Sequence, residues 1–395
     1  MEQRAAPGAA ITPFRPEFAD AQVADLRRRI ADARWPATET VADWSQGVPS
    51  AYLRDLVGHW SDAYDWDAAN ARLQRLPQFT TEIDGLSIHF AYLRSPDPTA
   101  RPLVLTHGWP GSYLEFLDVA APLADPQAHG GDPSDAFHVV IPSLPGFGFS
   151  GHPQVAGWGA ERIADAWVEL MQRLGYSRFY AQGGDMGYVV STALARRHPE
   201  QVRAIHLNFW VSGPEPEAEL TGFGELTEDE HRYVAKAHHL WSSGVAYATL
   251  QSSKPQTIGY SLADSPVGQC AWIVEKFHGW TDNTGLPESA IDRDRILDNV
   301  GLYWFQNLGA SAARLYWEST NAAVADHSAV TVPSGYTVYP GEILAASERW
   351  ARLRLPGLRY YAQAPAGGHF AAMEQPEIFA ADVRRAFRVI EEDAS

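Results

Sequence analysis

Cysteine is all but absent. Cys270 is the only one among 395 residues, so no disulfide can form within the chain, and a reducing, cytoplasmic setting is expected. Lysine is nearly as scarce, occurring at positions 236, 254 and 276 alone. Arginine carries the rest of the positive charge, a bias read here as genome composition. No apolar run reaches signal-peptide or membrane-span length, and residues 1–16 are polar and rich in Ala and Pro, so no membrane association is expected. Internal repeats, low-complexity tracts and long linkers are missing as well. Positive charge as a whole is short, with 31 Lys and Arg against 48 Asp and Glu for a formal charge of −17. Nucleic acid and anionic membrane surfaces repel such a chain, and neither is expected as a partner.

Apolar residues make up 45% of the chain and charged residues 20%, which is ordinary for a globular protein and excludes disorder on composition. Three early stretches have helical spacing of apolar residues: one within 16–36 that Trp35-Pro36 ends, one through Tyr52, Leu56 and Trp60, and one over 68–76. Residues 79–94 then read as two strands joined at Asp84-Gly85, a hairpin turn signal. From about Pro102, short apolar runs (103–105, 139–141, 179–182, 202–208) alternate with helical stretches, the pattern of a parallel sheet covered on both faces. Between about 212 and 320 the alternation gives way to helical segments rich in Trp, Tyr and His, then resumes at 335–339 and 358–364 with a final helix from about Glu377. The fold expected is α/β, a mostly parallel sheet flanked by helices. Its parts are an N-terminal segment (1–96), a core in two pieces (97–211 and 321–395), and a helical lid (212–320) over the carboxyl ends of the strands.

The strongest local signal is Gly183-Gly184-Asp185-Met186-Gly187, a strand-to-helix turn of the form Gly-x-nucleophile-x-Gly with Asp in the nucleophile's place. Its glycines suit a turn too sharp for side chains. The bland reading is a Gly-rich helix entry with Asp185 as a capping residue. Two other segments weigh against it. His107-Gly108-Trp109-Pro110-Gly111 follows an earlier strand, where this fold supplies an oxyanion-hole amide; the hole is expected on the backbone N–H groups of Trp109 and Met186. Gly367-Gly368-His369-Phe370 follows the last strand, where the fold places its catalytic histidine. A lone His among 14 is usually structural, but one flanked by glycine in that place is the expected base. The acid belongs at the end of the preceding strand, and Glu342 in Tyr339-Pro340-Gly341-Glu342 stands there. Glu374 is too near His369 in sequence, and the alternative acid position near residue 208 holds Asn208, which does not ionise.

Asp in place of Ser selects the chemistry. A Ser alkoxide attacking an alkyl carbon leaves a stable ether, whereas a carboxylate leaves an ester whose carbonyl water can attack. Carboxylates are also ordinarily ionised at neutral pH, so the first step needs no base. His369 is required for the second step, with Glu342 holding its tautomer and stabilising the imidazolium. The elbow therefore predicts displacement at sp³ carbon, on an epoxide or a carbon–halogen bond, with no metal or cofactor.

These residues resemble a known family. Leu26 to Pro36 (LRRRIADARWP), Gly47-Val48-Pro49, and Tyr64-Asp65-Trp66 through Pro77-Gln78-Phe79-Thr80-Thr81-Glu82-Ile83-Asp84-Gly85 are similar to the N-terminal segment of microsomal-type epoxide hydrolases, which wraps around the lid. HGWPGS, GGDMG, YPGE and GGHFAAMEQP look like that family's oxyanion, nucleophile, acid and histidine motifs. The resemblance runs from about residue 14 to 390. It implies an α/β-hydrolase fold and an epoxide substrate cleaved by water. It also implies two lid tyrosines that donate hydrogen bonds to the epoxide oxygen: Tyr316 in Arg314-Leu315-Tyr316-Trp317-Glu318, and Tyr247 in Ala246-Tyr247-Ala248-Thr249. A homodimer is suggested by the resemblance alone. Animal members carry an N-terminal membrane anchor, which is not carried over here.

Two rival readings differ in class. Haloalkane and haloacid dehalogenases share the Asp elbow but commonly place Trp or Arg directly after it to grip halide or carboxylate, and Met186 does neither. A non-catalytic ligand receptor on the same scaffold usually loses triad residues, whereas here all three are chemically competent. An esterase would need Ser in the elbow. The many aromatics, Trp109, Phe147, Phe149, Trp241, Trp304 and Trp317 among them, suggest a bulky apolar or aryl epoxide.

Overall fold

A computed structural model describes residues 10–210, 224–321 and 328–393. Its strands are β1 (Thr12–Phe14), β2 (Gln78–Ile83), β3 (Leu86–Leu93), β4 (Arg101–Thr106), β5 (Phe137–Pro142), β6 (Phe179–Gly183), β7 (Val202–Leu207), β8 (Ser334–Val338) and β9 (Leu358–Gln363). They form one sheet in the order β1-β2-β3-β5-β4-β6-β7-β8-β9. Every pairing from β5 through β9 is parallel, while β1, β2 and β3 extend the sheet antiparallel. The sheet is that of the α/β-hydrolase fold. Its central strands β4 and β5 are buried almost throughout because helices cover both faces, which explains their unalternating apolar sequence. The Asp84-Gly85 signal is a two-residue hairpin turn with both residues at positive φ (51° and 74°).

The first helix, Asp20–Ala31, stops short of Trp35-Pro36. Pro36 only set an outer limit; Trp35 leaves the helix and lies under the Arg54 guanidinium, 3.9 Å from the ring centre. Strand β1 was not expected at all. Three residues long, it owes its conformation to its partner β2 and has no periodicity of its own.

Between β7 and β8 the described elements are helices, joined by short loops: Glu228–His239, Ala246–Ser253, Pro255–Asp264, Pro266–Trp280, Arg293–Phe305 and Gly309–Asn321, with a π-helical turn at Leu240–Gly244. The boundary expected at 211/212 lies outside the described residues, as do residues 1–9 of the polar opening. Thr227 starts the first of these helices with a capping box, its Oγ1 accepting from Glu230 N (3.2 Å) while the Glu230 carboxylate accepts from Thr227 N (2.8 Å). Glu230 also accepts from Ser347 Oγ (2.6 Å) and pairs with Arg349, which ties this helix to the segment after β8.

The N-terminal helices grip the same region from the other side. Arg72 makes a two-pronged contact with Asp298 (2.6 and 2.9 Å), to which Tyr64 also donates. His59 Nε2 lies 2.7 Å from Asp294. Among the described residues, no helix is long and apolar enough to cross a membrane.

Candidate active site

Asp185 sits between the end of β6 and the helix Met186–Arg197, with φ 47° and ψ −124°. A non-glycine residue at that φ is strained by about 1–3 kcal/mol and persists where the surroundings enforce it. Its side chain makes no capping hydrogen bond to the helix, so the bland capping role fails. The turn is forced by close approach. A Cβ on Gly187 would lie 1.9 Å from Thr106 O, and one on Gly108 would lie 2.2 Å from Asp185 Oδ1. The backbone carbonyl of Thr106 cannot step aside, so Gly187→Ala should destabilise by at least the roughly 1–3 kcal/mol of ordinary overpacking. Urea unfolding would read this directly, and an unchanged midpoint would mean that the elbow is not held by this contact.

The HGWPGS loop delivers its amide. Trp109 N–H donates to Asp185 Oδ1 (2.8 Å), and the Met186 amide lies one residue past Asp185, at the first position of the helix. The loop is held from the helix Arg293–Phe305: Asn299 Nδ2 donates to Pro110 O (2.7 Å), Ser112 Oγ donates to Asn299 Oδ1 (2.8 Å), and Tyr303 OH donates to Gly111 O (2.9 Å). That helix is in turn gripped through Asp298 by Arg72 and Tyr64. A chain of contacts thus runs from the N-terminal segment to the amide that touches Asp185.

His369 follows β9 and Glu342 follows β8. Their loops are joined by Gly341 N donating to Gly367 O (2.8 Å). His369 Nδ1 lies 2.8 Å from Glu342 Oε1, and His369 Nε2 lies 3.4 Å from Asp185 Oδ2. Both partners of the inner pair are buried, at 6% and 1% exposure. Burial opposes protonation of His369, but the charge of Glu342 and the contact with Asp185 outweigh it and hold the imidazole pKa well above its ordinary value. Glu374 does not compete for the histidine; its carboxyl accepts from Phe370 N (3.0 Å) and Asp282 N (2.7 Å). Asn208 accepts from Gln182 Nε2 (2.7 Å) beside the elbow.

Tyr247 stacks on Trp109, with centroids 4.9 Å apart and planes 11° from parallel, and stands edge-on to Tyr316 at 5.9 Å. The Tyr316 hydroxyl is buried beside that of Tyr247. Burial raises both phenol pKa values, and the Asp185 charge adds to the rise, so both remain hydrogen-bond donors at neutral pH. Trp109, Met186, His369, Glu342, Tyr247 and Tyr316 therefore gather around Asp185. The aromatic roster converges less well. Trp109 is at the site, but Trp241 is 56% exposed, Phe149 packs with Phe14 and His89, and Phe147 packs with Tyr303.

Several contributors were not singled out from the sequence. Trp280 packs on His369 (4.9 Å) and Tyr247 (5.2 Å), and its carbonyl accepts from His369 N (2.9 Å). The three lysines, set down to composition, all lie in or against the site's cover. Lys236 donates to Glu342 O (3.0 Å), Lys276 Nζ lies 4.3 Å from the Tyr247 ring centre, and Lys254 lines a cavity of about 410 Å³ shared with Leu315, Trp317 and Trp158. Their rarity was the available signal. Among the described residues, no group of three or more His, Cys, Asp and Glu could hold a metal ion.

Comparison with known proteins places this geometry. The family described as epoxide hydrolase N terminus matches residues 11–116, and the alpha/beta hydrolase fold family matches 101–266. A putative epoxide hydrolase of Stigmatella aurantiaca is 50% identical over 378 residues, 96% of this chain and 85% of that protein. Epoxide hydrolase 1 of Sus scrofa is 34% identical over 98% of this chain and 91% of its own. The crystal structure of juvenile hormone epoxide hydrolase from the silkworm Bombyx mori superposes with a TM-score of 0.90 at 30% identity, covering 98% of this chain and 96% of that one.

Proposed function

This chain belongs to the epoxide hydrolase family of the α/β-hydrolase fold, and from that premise we propose that it converts an epoxide and water to a vicinal diol through an ester on Asp185. The observation that carries the reading is the pair of contacts on one carboxylate: Trp109 N–H on Oδ1 and His369 Nε2 near Oδ2. One oxygen is held where an oxyanion must later be stabilised, and the other is left to attack.

In the first step an Asp185 oxygen attacks an epoxide carbon. The C–O bond of the ring breaks; one of Tyr247 and Tyr316 gives its proton to the departing oxygen, which becomes a hydroxyl, while the other donates a hydrogen bond to it. In the second step His369 takes a proton from water, whose oxygen bonds to the Asp185 carbonyl carbon. The tetrahedral oxyanion rests on the Trp109 and Met186 amides and collapses; the diol oxygen leaves with the proton held by His369, and the proton left on the Asp185 carboxyl restores the tyrosine. The two steps ask opposite things of His369, and esterification reconciles them. Flanked by two carboxylates, the imidazole favours its charged form; once Asp185 is an ester, one of those anions is gone, its pKa falls, and it can act as a base. Trp109 and Trp280, packed against the Tyr247 ring, favour a bulky apolar or aryl epoxide.

A single turnover in heavy-oxygen water tests the reading. The label should enter the Asp185 carboxylate in that first turnover, because water attacks the ester carbonyl. Label confined to the diol would mean direct attack of water on the epoxide.

A further inference from the structure

The loop that feeds the oxyanion hole makes room for two carboxyl groups. A Cβ on Gly108 would collide with the carboxylate of Asp185, and a Cβ on Gly111 would lie 1.6 Å from Oε1 of Glu115. Glu115 therefore turns back under its own loop, toward the elbow. It lines a small pocket with Asp185, His369 and Asn208 on its polar side and Phe116 and Phe379 behind. Tyr247 and Tyr316 do not line this pocket. The space measures about 20 Å³, on a scale where one water needs roughly 10–15 Å³ and two to four polar partners.

We propose that this pocket seats the water that cleaves the Asp185 ester and that Glu115 is the residue that positions it. The inference rests on the ester reading above. A water in this pocket can donate one hydrogen to His369 Nε2 and the other to the Glu115 carbonyl oxygen, which turns its lone pair toward the Asp185 carbonyl carbon. In the step itself the water O–C bond forms and His369 takes the proton. The ester C–O bond then breaks as the diol oxygen leaves with that proton, and Glu115 ends the cycle unchanged.

Charge favours this arrangement. Burial pushes the Glu115 carboxyl up to about 8; His369 and backbone hydrogen bonds from Ser112 and Gly108 pull it down, and Asp185 adds to the rise. At neutral pH Glu115 is mostly an uncharged acid. An anion there would repel the negative charge that grows on the Asp185 oxygen during attack, whereas a neutral carboxyl orients the water without that penalty.

Glu115→Met conserves chain length and removes both oxygens; Glu115→Gln conserves a neutral acceptor and donor. Each variant is mixed with styrene oxide and quenched on the millisecond scale, and the ester is followed by intact protein mass. Glu115→Met should form ester at the wild-type rate and hydrolyse it roughly 10- to 100-fold more slowly, the effect of losing one buried hydrogen-bond partner. Glu115→Gln should restore hydrolysis close to wild type. Should Met not be accommodated, Glu115→Leu is read in the same way. Hydrolysis at the wild-type rate without the carboxyl, or equal slowing of both steps, overturns the role of Glu115. His369→Gln separates the two readings: if it accumulates ester while Glu115→Met does not, the ester stands and Glu115 does not position the water. No ester in any variant removes both.

Discussion

His369→Gln, mixed with an aryl epoxide such as styrene oxide, should accumulate a protein adduct heavier by one substrate mass, mapping to the peptide that contains Asp185. The first step needs no base, because the nucleophile is a carboxylate that needs no proton removed before it attacks. The second step does, because water at neutral pH is too weak a nucleophile to open an ester unaided. Removing the imidazole should therefore leave ester formation largely intact while stopping its hydrolysis. Glu342→Gln should give a weaker form of the same block: the 2.8 Å contact to His369 Nδ1 could be kept by an amide oxygen, but the charge that stabilises the imidazolium would be gone. The rivals separate on the same gel-free measurement. A dehalogenase would trap adduct only from a haloalkane, with halide released, and a receptor would trap nothing. Adduct that persists in Asp185→Ala would require a different nucleophile.

Replacing Tyr247 and Tyr316 together by Phe should nearly abolish ring opening, and each single replacement should slow it by about 100- to 1,000-fold, the usual effect of losing one donor of this kind at about 3–4 kcal/mol. An epoxide oxygen leaves as an alkoxide, and burial keeps both phenols protonated and ready to donate. Tyr247 stacked on Trp109 and Tyr316 edge-on to both rings hold the pair in one place, so Phe should fit each site without repacking. Ester formation measured before hydrolysis isolates the effect. A double variant that forms ester at the wild-type rate would assign oxygen stabilisation to other groups.

Most of the catalytic chemistry was legible because it is carried by turns. Gly183 to Gly187, Gly341-Glu342 and Gly367 to His369 each sit where a strand ends, and an apolar run followed by glycine marks such a place in any sequence. The residues proposed as nucleophile, acid and base follow β6, β8 and β9, parallel strands of one sheet. Recognising the strand order in sequence was therefore enough to expect them at one site. The failures were also physical in origin. Strand β1 depends on hydrogen bonds to β2, and the placing of Trp35 beyond the first helix, under Arg54, involves a partner in another helix. Neither event leaves a periodic trace in its own segment.

What the sequence determined by itself was a set of residue types at strand ends: a carboxylate in the elbow after β6, Glu342 after β8, His369 after β9, and an amide in the loop after β4. Those are properties of residue type and local backbone, which neighbours along the chain dictate. The tertiary structure alone decided how that amide is aimed, through Asn299 and Tyr303 on a helix nearly 200 residues downstream. It also placed Lys236 and Trp280 around the acid and base, and turned Glu115 into the space left by Gly111. Each of these depends on packing between segments far apart in the chain, where a side chain's role is set by the distance and burial of its partners and not by the residues beside it.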